Sequence, residues 1–272
     1  MEIPTKPTIA IIGHKNSGKT LLIEKLIKAL VEKGYNVASA KHIGRKGHTF
    51  DMPRKDTSKH LEAGANPVIA ISENETVIIR KNHIDRPLET IFENIPENVN
   101  VILLEGFSGQ VLSNENIPKI VCIKNEEELR EYKEKGKSII LFSSLNKINR
   151  KETLHIIEDF HQILEKTIAY IENQERLIKI YEGLPGLNCG KCQFKTCFNM
   201  AKAILNNKAS KNECIVLTRG KRLKISINNK EIPITPFVEK IIKTTVLSML
   251  STLKGVSIGE VEKVNLKIEV ET

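Results

Sequence analysis

Gly13-His14-Lys15-Asn16-Ser17-Gly18-Lys19-Thr20 is the stretch whose reading decides the fold. It satisfies the spacing G-x-x-x-x-G-K-[ST], and its flanks give that spacing meaning. Upstream, Pro7 to Gly13 reads as a buried strand. Downstream, Leu21 to Lys33 places apolar residues at 22, 23, 26, 27 and 30, one face of a helix, with Gly34 suited to its C-terminal cap. A strand, a glycine-rich turn and a helix N-terminus in this order predict a phosphate cradle, or P-loop. Backbone N–H groups must turn inward around the phosphates, and Gly13 and Gly18 supply the freedom to do so. Lys19 is expected to neutralise the β and γ phosphates and Thr20 to offer its hydroxyl to Mg²⁺, while the helix adds the positive end of its dipole. The alternative is a chance glycine-rich turn, which the strand before and the helix after argue against.

A P-loop site also needs a carboxylate at the tip of another strand to hold or polarise the Mg²⁺ shell. Val101-Ile102-Leu103-Leu104-Glu105-Gly106-Phe107 offers one: an apolar run ends in Glu105, and Gly106 allows close approach. The competing reading is a surface Glu after a core strand. Between the two motifs lies a polar segment, Lys41 to His60, that lacks either periodicity and is expected to form a loop at the sheet's C-terminal edge, where ligands of such folds bind. Asp51 and Asp56 are candidates for a further Mg²⁺ contact, Asp51 being grouped with Lys19 and Glu105 as catalytic. Lys41, His42, Arg45 and His48, with Asp56 among them, are candidates for contacting an anionic second substrate. A solvated, charge-rich loop is the alternative for each of them.

Further strands are expected at Asn36 to His42, Pro67 to Ile71, Thr76 to Arg80, Val99 to Leu104, Lys119 to Ile123 and Ser138 to Phe142, with helices at Glu126 to Lys135 and Glu152 to Lys166. This alternation predicts an α/β P-loop fold with a mainly parallel sheet. A charged helix from Ala169 to Tyr181 bridges to a cysteine-bearing segment. Beyond that segment, Arg222 to Ile227 and Glu231 to Ile234 flank Asn228-Asn229, a hairpin signal. Thr235 and Pro236 can open a helix running to Lys254, and the final stretch alternates Val264, Leu266, Ile268 and Val270. The expected domains are 1–170 for nucleotide binding, 171–218 for a linker helix and metal module, and 219–272 for a small α+β unit.

Among the 272 residues, 40% are hydrophobic and 28% charged, values of a soluble globular chain, and no apolar run is long enough to span a bilayer. With no signal-peptide pattern at the N-terminus, a cytoplasmic location and no membrane partner are expected. The formal charge is +9, and residues 181–272 contribute +7 of it, from 15 basic and 8 acidic residues. An anionic partner such as nucleic acid is one reading of that excess. Aromatic residues make up only 4% of the chain and offer little for stacking bases, so no nucleic-acid partner is expected.

The same third of the chain carries Cys189, Cys192, Cys197 and Cys214, spaced C-x2-C-x4-C-x16-C. Four soft ligands clustered in a cytosolic chain imply a metal rather than disulfides. Zinc ribbons usually pair two matched C-x2-C knuckles, whereas this uneven spacing is closer to that of an iron-sulfur site, and a [4Fe-4S] cluster is favoured over zinc. Its thiolates would offset part of the local positive charge. The fifth cysteine, Cys122, sits in an apolar strand and is expected to be an inert core residue.

Residues 8–106 resemble the MobB family, GTP-binding adapters of molybdopterin guanine dinucleotide synthesis. The resemblance runs through GHKNSGKT, then KHIGRKGHTFDMPRKDTSKHLEAGA, then LLEGF, in that order, and the middle segment is the most specific. Arg54 stands where a Gly commonly follows the Pro. The family pattern places phosphate contacts on Gly18, Lys19 and Thr20, a His-and-Asp loop on His42, His48, Asp51 and Asp56, and the acidic strand end on Glu105. The cysteine segment is similar to the small iron-sulfur domain of the corrinoid iron-sulfur protein and of the Rnf complex, through Asn188, Cys189, Gly190, Cys192, Thr196, Cys197 and Ala201, with Gln193 where a Gly often follows the second Cys.

GTP as the nucleotide rests on that resemblance. Asn146-Lys147-Ile148-Asn149 looks like the guanine motif N-K-x-D, but Asn149 replaces the Asp, and an amide accepts with only one oxygen. The resemblance implies a GTP-binding, slowly hydrolysing accessory protein of molybdenum or tungsten cofactor synthesis with Mg²⁺, GTP and a [4Fe-4S] cluster as cofactors. Its implied partners are the cofactor guanylyltransferase, molybdopterin or its guanine dinucleotide, a target molybdo- or tungstoenzyme, and a second copy of itself. Two other readings stand beside it: a P-loop maturation factor for another metalloenzyme, and a redox-sensing adapter that binds nucleotide without turning it over.

Overall fold

The computed structural model describes residues 5–44, 56–80, 87–148, 150–218, 223–228, 230–254 and 264. The expected final strand therefore lies outside the described residues apart from Val264. The chain divides into two compact units, Met1–Glu175 and Arg176–Thr272, and the division falls within a helix.

In the first unit, β1 (Thr8–Gly13) leads through the glycine-rich turn into α1 (Lys19–Glu32), and β2 (Val37–Lys41) follows. Next come α2 (Asp56–Glu62), β3 (Val68–Ile71), β4 (Thr76–Ile79), α3 (Pro87–Glu93), β5 (Val101–Glu105), α4 (Ser108–Val111), β6 (Lys119–Cys122), α5 (Glu126–Lys135), β7 (Ile139–Ser144) and β8 (Thr153–His155). The helix α6 (Phe160–Glu182) crosses the division between the units. Six strands form one sheet in the order β2-β5-β1-β6-β7-β8, every pairing parallel.

Period-two alternation sorts each central strand's side chains to opposite faces. Ile9 and Ile11 of β1 pack with Leu22, Leu26 and Leu30 of α1 and Ile163 and Ile171 of α6. Ala10 and Ile12 face the other way, against Phe107, Val111 of α4, and Leu129 and Tyr132 of α5. The result is a helix–sheet–helix sandwich whose central strands are buried on both sides, as their unbroken apolar runs require.

Four expectations change. The helix placed at Glu152 to Lys166 begins only at Phe160, because Thr153–His155 adds β8 to the sheet edge, pairing Phe142 with Thr153. No Gly or Pro interrupts residues 160–182, so the two helices read separately are one. The strands at 68–71 and 76–79 pair antiparallel with each other and stand outside the main sheet. A short helix, α2, forms within the segment read as a loop.

In the second unit, α7 (Cys197–Leu205), a 3₁₀ turn at Lys211–Glu213 and α8 (Ile215–Thr218) surround a small core of Leu184, Met200, Ala201 and Val216, with Cys197 and Cys214. Thr196 caps α7 by accepting from the Asn199 N–H at 3.1 Å. Then β9 (Ser226–Ile227) and β10 (Lys230–Glu231) make a minimal antiparallel pair, and α9 (Pro236–Ser251) starts at its Thr235 cap.

Candidate functional site

The order of strands places β5 directly beside β1, so the tip of one meets the loop leaving the other. Ile11 pairs with Glu105 in register, and Lys41 pairs with Glu105 across β2 and β5. Three chain segments thereby converge on one carboxylate. Thr20 Oγ1 donates to Glu105 Oε1 at 2.7 Å, and Lys41 Nζ stands 2.9 Å from the same oxygen. Glu105 is buried at 8% exposure, while Thr20 is exposed. A buried carboxylate bonded to a P-loop hydroxyl has the donor set that a Mg²⁺ ion takes: hard oxygens on rigid elements.

The loop itself is shaped for an anion. Gly13 (φ 147°) and Gly18 (φ 90°) lie in conformations that L side chains rarely adopt. A Cβ at Gly13 would collide with the Cys122 carbonyl oxygen, and one at Gly18 would come within 2.7 Å of Ile156 Cδ1 and 2.9 Å of Leu145 Cγ. Among the described residues, the buried Ser17 Oγ has no hydrogen-bond partner, which leaves it able to bond a ligand held in the loop. Lys19 Nζ donates to the His14 carbonyl at 2.6 Å, across the loop. Burial lowers the Lys19 ammonium from its ordinary value, opposed by Cys122 and Glu105. Because burial pushes the Cys122 thiol up to about 11, Cys122 is neutral at pH 7 and Glu105 is the charge that counts there. No acidic residue occupies the first turn of α1, so the dipole end stays available to phosphate.

Around the cradle, the His14 ring meets Tyr132 edge-on at 5.6 Å and pairs with Glu131 at 3.4 Å. Lys15 and Asn16 are exposed, Asn16 with φ 61°. His42 follows β2 and packs on Phe107 at 5.2 Å, beside Glu105. Asp56, at the start of α2, is exposed and paired with Lys59 at 2.9 Å. Arg45, His48 and Asp51 lie outside the described residues. In the guanine-like motif, Asn146 Nδ2 donates to the Lys124 carbonyl at 3.0 Å and Lys147 pairs with Glu158 at 3.1 Å; Asn149 is outside the described residues. Leu145 and Ile156, which close on Gly18, carry no sequence signal because they reach it only through the β7–β8 pairing.

In the second unit, Cys189, Cys192, Cys197 and Cys214 all line one open depression. All four are free thiols, Cys197 and Cys214 buried and the other two half-buried. The Asn188 side chain pins the loop by accepting from the Cys197 N–H at 2.9 Å, and Asn188 (φ 45°), Gly190 (φ 66°) and Lys195 (φ 63°) turn the chain around the cavity. Among the described residues, no three His, Cys, Asp or Glu side chains converge as a single ion requires. Also among them, no helix is long and apolar enough to cross a membrane.

Residues 8–144, half of the chain, match the family described as "Molybdopterin guanine dinucleotide synthesis protein B", and residues 184–216 match the family described as "Putative Fe-S cluster". A Methanocaldococcus jannaschii protein named "Putative molybdopterin-guanine dinucleotide biosynthesis adapter protein" is 30% identical over 261 residues, covering 96% of this chain and 97% of that one. A Haemophilus influenzae protein named "Molybdopterin-guanine dinucleotide biosynthesis adapter protein" is 30% identical over 121 residues, 44% of this chain and 65% of its own. A solved structure of molybdopterin-guanine biosynthesis protein B overlaps 60% of this chain and 98% of its own at 24% identity, with a TM-score of 0.47. With one relative aligned along both chains nearly end to end and the family's own pattern spanning the P-loop, Glu105 and β7, this chain belongs to the molybdopterin guanine dinucleotide synthesis protein B family.

Proposed function

We propose that the chain binds GTP with Mg²⁺ at the P-loop, hydrolyses it slowly, and serves as an accessory protein in forming the guanine dinucleotide of a molybdenum or tungsten cofactor. The observation that carries this reading is the junction of Thr20, Glu105 and Lys41 at the mouth of a loop whose buried Ser17 hydroxyl has no partner among the described residues. Gly13, His14, Lys15, Asn16, Ser17 and Gly18 would wrap the phosphates, Lys19 would neutralise them, and Thr20 and Glu105 would hold the metal, which supplies charge neutralisation at the γ phosphate. Hydrolysis would be slow because, among the described residues, Glu105 is already engaged by Thr20 and Lys41 rather than aimed at a water. Lys41 and His42, on the same sheet edge, would contact the phosphate of molybdopterin. The cofactor guanylyltransferase is the natural partner, since adapters of this name act in the same synthesis.

The cysteine cavity would hold a [4Fe-4S] cluster through Cys189, Cys192, Cys197 and Cys214. A cluster is favoured over a single zinc ion because the uneven spacing lacks the two matched C-x2-C knuckles of a zinc ribbon, and because residues 184–216 match the iron-sulfur family. Calorimetric titration of Mg·GTP and Mg·ATP into the full chain tests the nucleotide reading. One GTP per chain, bound more tightly than ATP, is expected; no heat from either nucleotide would overturn it.

A further inference from the structure

The cysteine cavity opens among lysines. From Gly183 to Thr218 the chain carries five lysines, Lys191, Lys195, Lys202, Lys208 and Lys211, and one carboxylate, Glu213. Lys191 and Lys195 line the cavity alongside the cysteines, and both are exposed. Among the described residues neither is paired with a carboxylate. Glu213 is committed elsewhere: its Oε1 accepts from the Ser210 N–H and its Oε2 from Gln193 Nε2, each at 2.9 Å. Apart from the lysines, Gly190 and Thr196, the cavity wall is almost wholly apolar or sulfur, with Pro185, Leu187 and Met200 among its residues.

Resting on the iron-sulfur reading above, we propose that this lysine-flanked mouth is the docking surface for a small acidic one-electron carrier protein, which exchanges an electron with the cluster behind it. Three features favour such a partner. The two lysines sit on the loop that carries the ligands, so a protein held by them lies over the metal. Charge of one sign around an opening steers an oppositely charged partner and orients it, chiefly through the association rate. An apolar wall behind a charged rim gives the contact a dry centre. The step balances simply: the reduced carrier loses one electron, one ferric equivalent of the cluster becomes ferrous, and no atom or proton need move.

The test uses the full chain, reconstituted anaerobically with iron and sulfide, and an acidic plant-type [2Fe-2S] ferredoxin as the probe. Electron exchange is followed by stopped-flow absorbance in the downhill direction at low and high salt. Lys191→Glu with Lys195→Glu should lower the second-order rate constant at least tenfold at low salt, and salt should erase most of that difference. Reduction by photoreduced deazaflavin, which has no surface to dock, should be unchanged. A charge-matched control on α9, Lys240→Glu with Lys243→Glu, should change the ferredoxin rate less than twofold. Equal losses in the two double variants would reduce the effect to bulk charge and overturn the proposal. So would an unaltered rate, or loss of binding to a single-stranded RNA probe with electron exchange intact. Iron content separates the two levels: wild-type chain without iron removes the cluster reading itself, whereas loaded protein with no lysine dependence removes only the docking surface.

Discussion

Thr20 and Glu105 are 85 residues apart in sequence and 2.7 Å apart at their oxygens, and what each contributes can be separated by substitution. Lys19→Ala should weaken GTP binding tenfold to more than a hundredfold, the range expected for losing about 1.5–3 kcal/mol of charge-assisted bonding, with the circular dichroism of the fold unchanged. Glu105→Gln should spare binding and slow hydrolysis; titration and phosphate release distinguish the two, and unchanged affinity in the Lys19 variant would rule out the P-loop assignment. A second lysine is testable for a different reason. Lys119 is wholly buried, its ammonium donating to the carbonyls of Asn114 and Lys137. Burial lowers it to about 8, against the opposing charge of Glu115, from an ordinary 10.5. Between those pH values the folded chain has released the proton and the unfolded chain still holds it, so stability rises with pH across that window. Chemical denaturation of wild type and Lys119→Met from pH 7.5 to 10.5 should show the difference moving in favour of wild type; a difference independent of pH would mean that Lys119 does not titrate there. The residues proposed to hold phosphate are legible in sequence because their spacing is local. The Lys41–Glu105 pair is not, because it depends on β2 lying beside β5.

Elements that advertise themselves by periodicity, β1, α1, β5 and α5, stand where the sequence places them, whereas short ones do not. Thr153–His155 has too few residues to show alternation and joins the sheet only through its partner β7. The 7-residue α2 and 4-residue α4 likewise carry no long pattern, and α4 follows Phe107, held in the left-handed region at φ 59°. The cysteine loop is the opposite case: the spacing of its cysteines is visible in sequence, and the fold adds the Asn188 bond and the capped α7 that hold them around one cavity. Anaerobically reconstituted protein should be brown with about four irons per chain. Cys→Ala at 189, 192, 197 or 214 should each lose the cluster, while Cys122→Ala, in the other unit's core, should retain it and cost stability instead. A colourless protein with one zinc per chain would contradict this.

The molecule as a whole is two units joined by a continuous helix, and α6 determines where they can be cut. Ile163, Thr167 and Ile171 are fully buried, and Gln174 accepts from the Thr8 N–H at 2.9 Å, so the first unit needs α6 as far as Glu175. A fragment of residues 1–175 should bind GTP with the affinity of the full chain, measured by titration; a loss of tenfold or more would mean that the second unit takes part in the nucleotide site. The positive charge concentrated beyond residue 180 and the near-neutral first unit fit a division between nucleotide chemistry and partner contact. On the proposed reading, the chain as a whole serves the formation of the dinucleotide. The most direct measurement is therefore the yield of molybdopterin guanine dinucleotide from molybdopterin and Mg·GTP by the guanylyltransferase, with no addition, with the full chain, and with its Lys19→Ala variant. The full chain should raise rate or yield and the Lys19 variant should not; identical product formation in all three would contradict a nucleotide-dependent role in this synthesis.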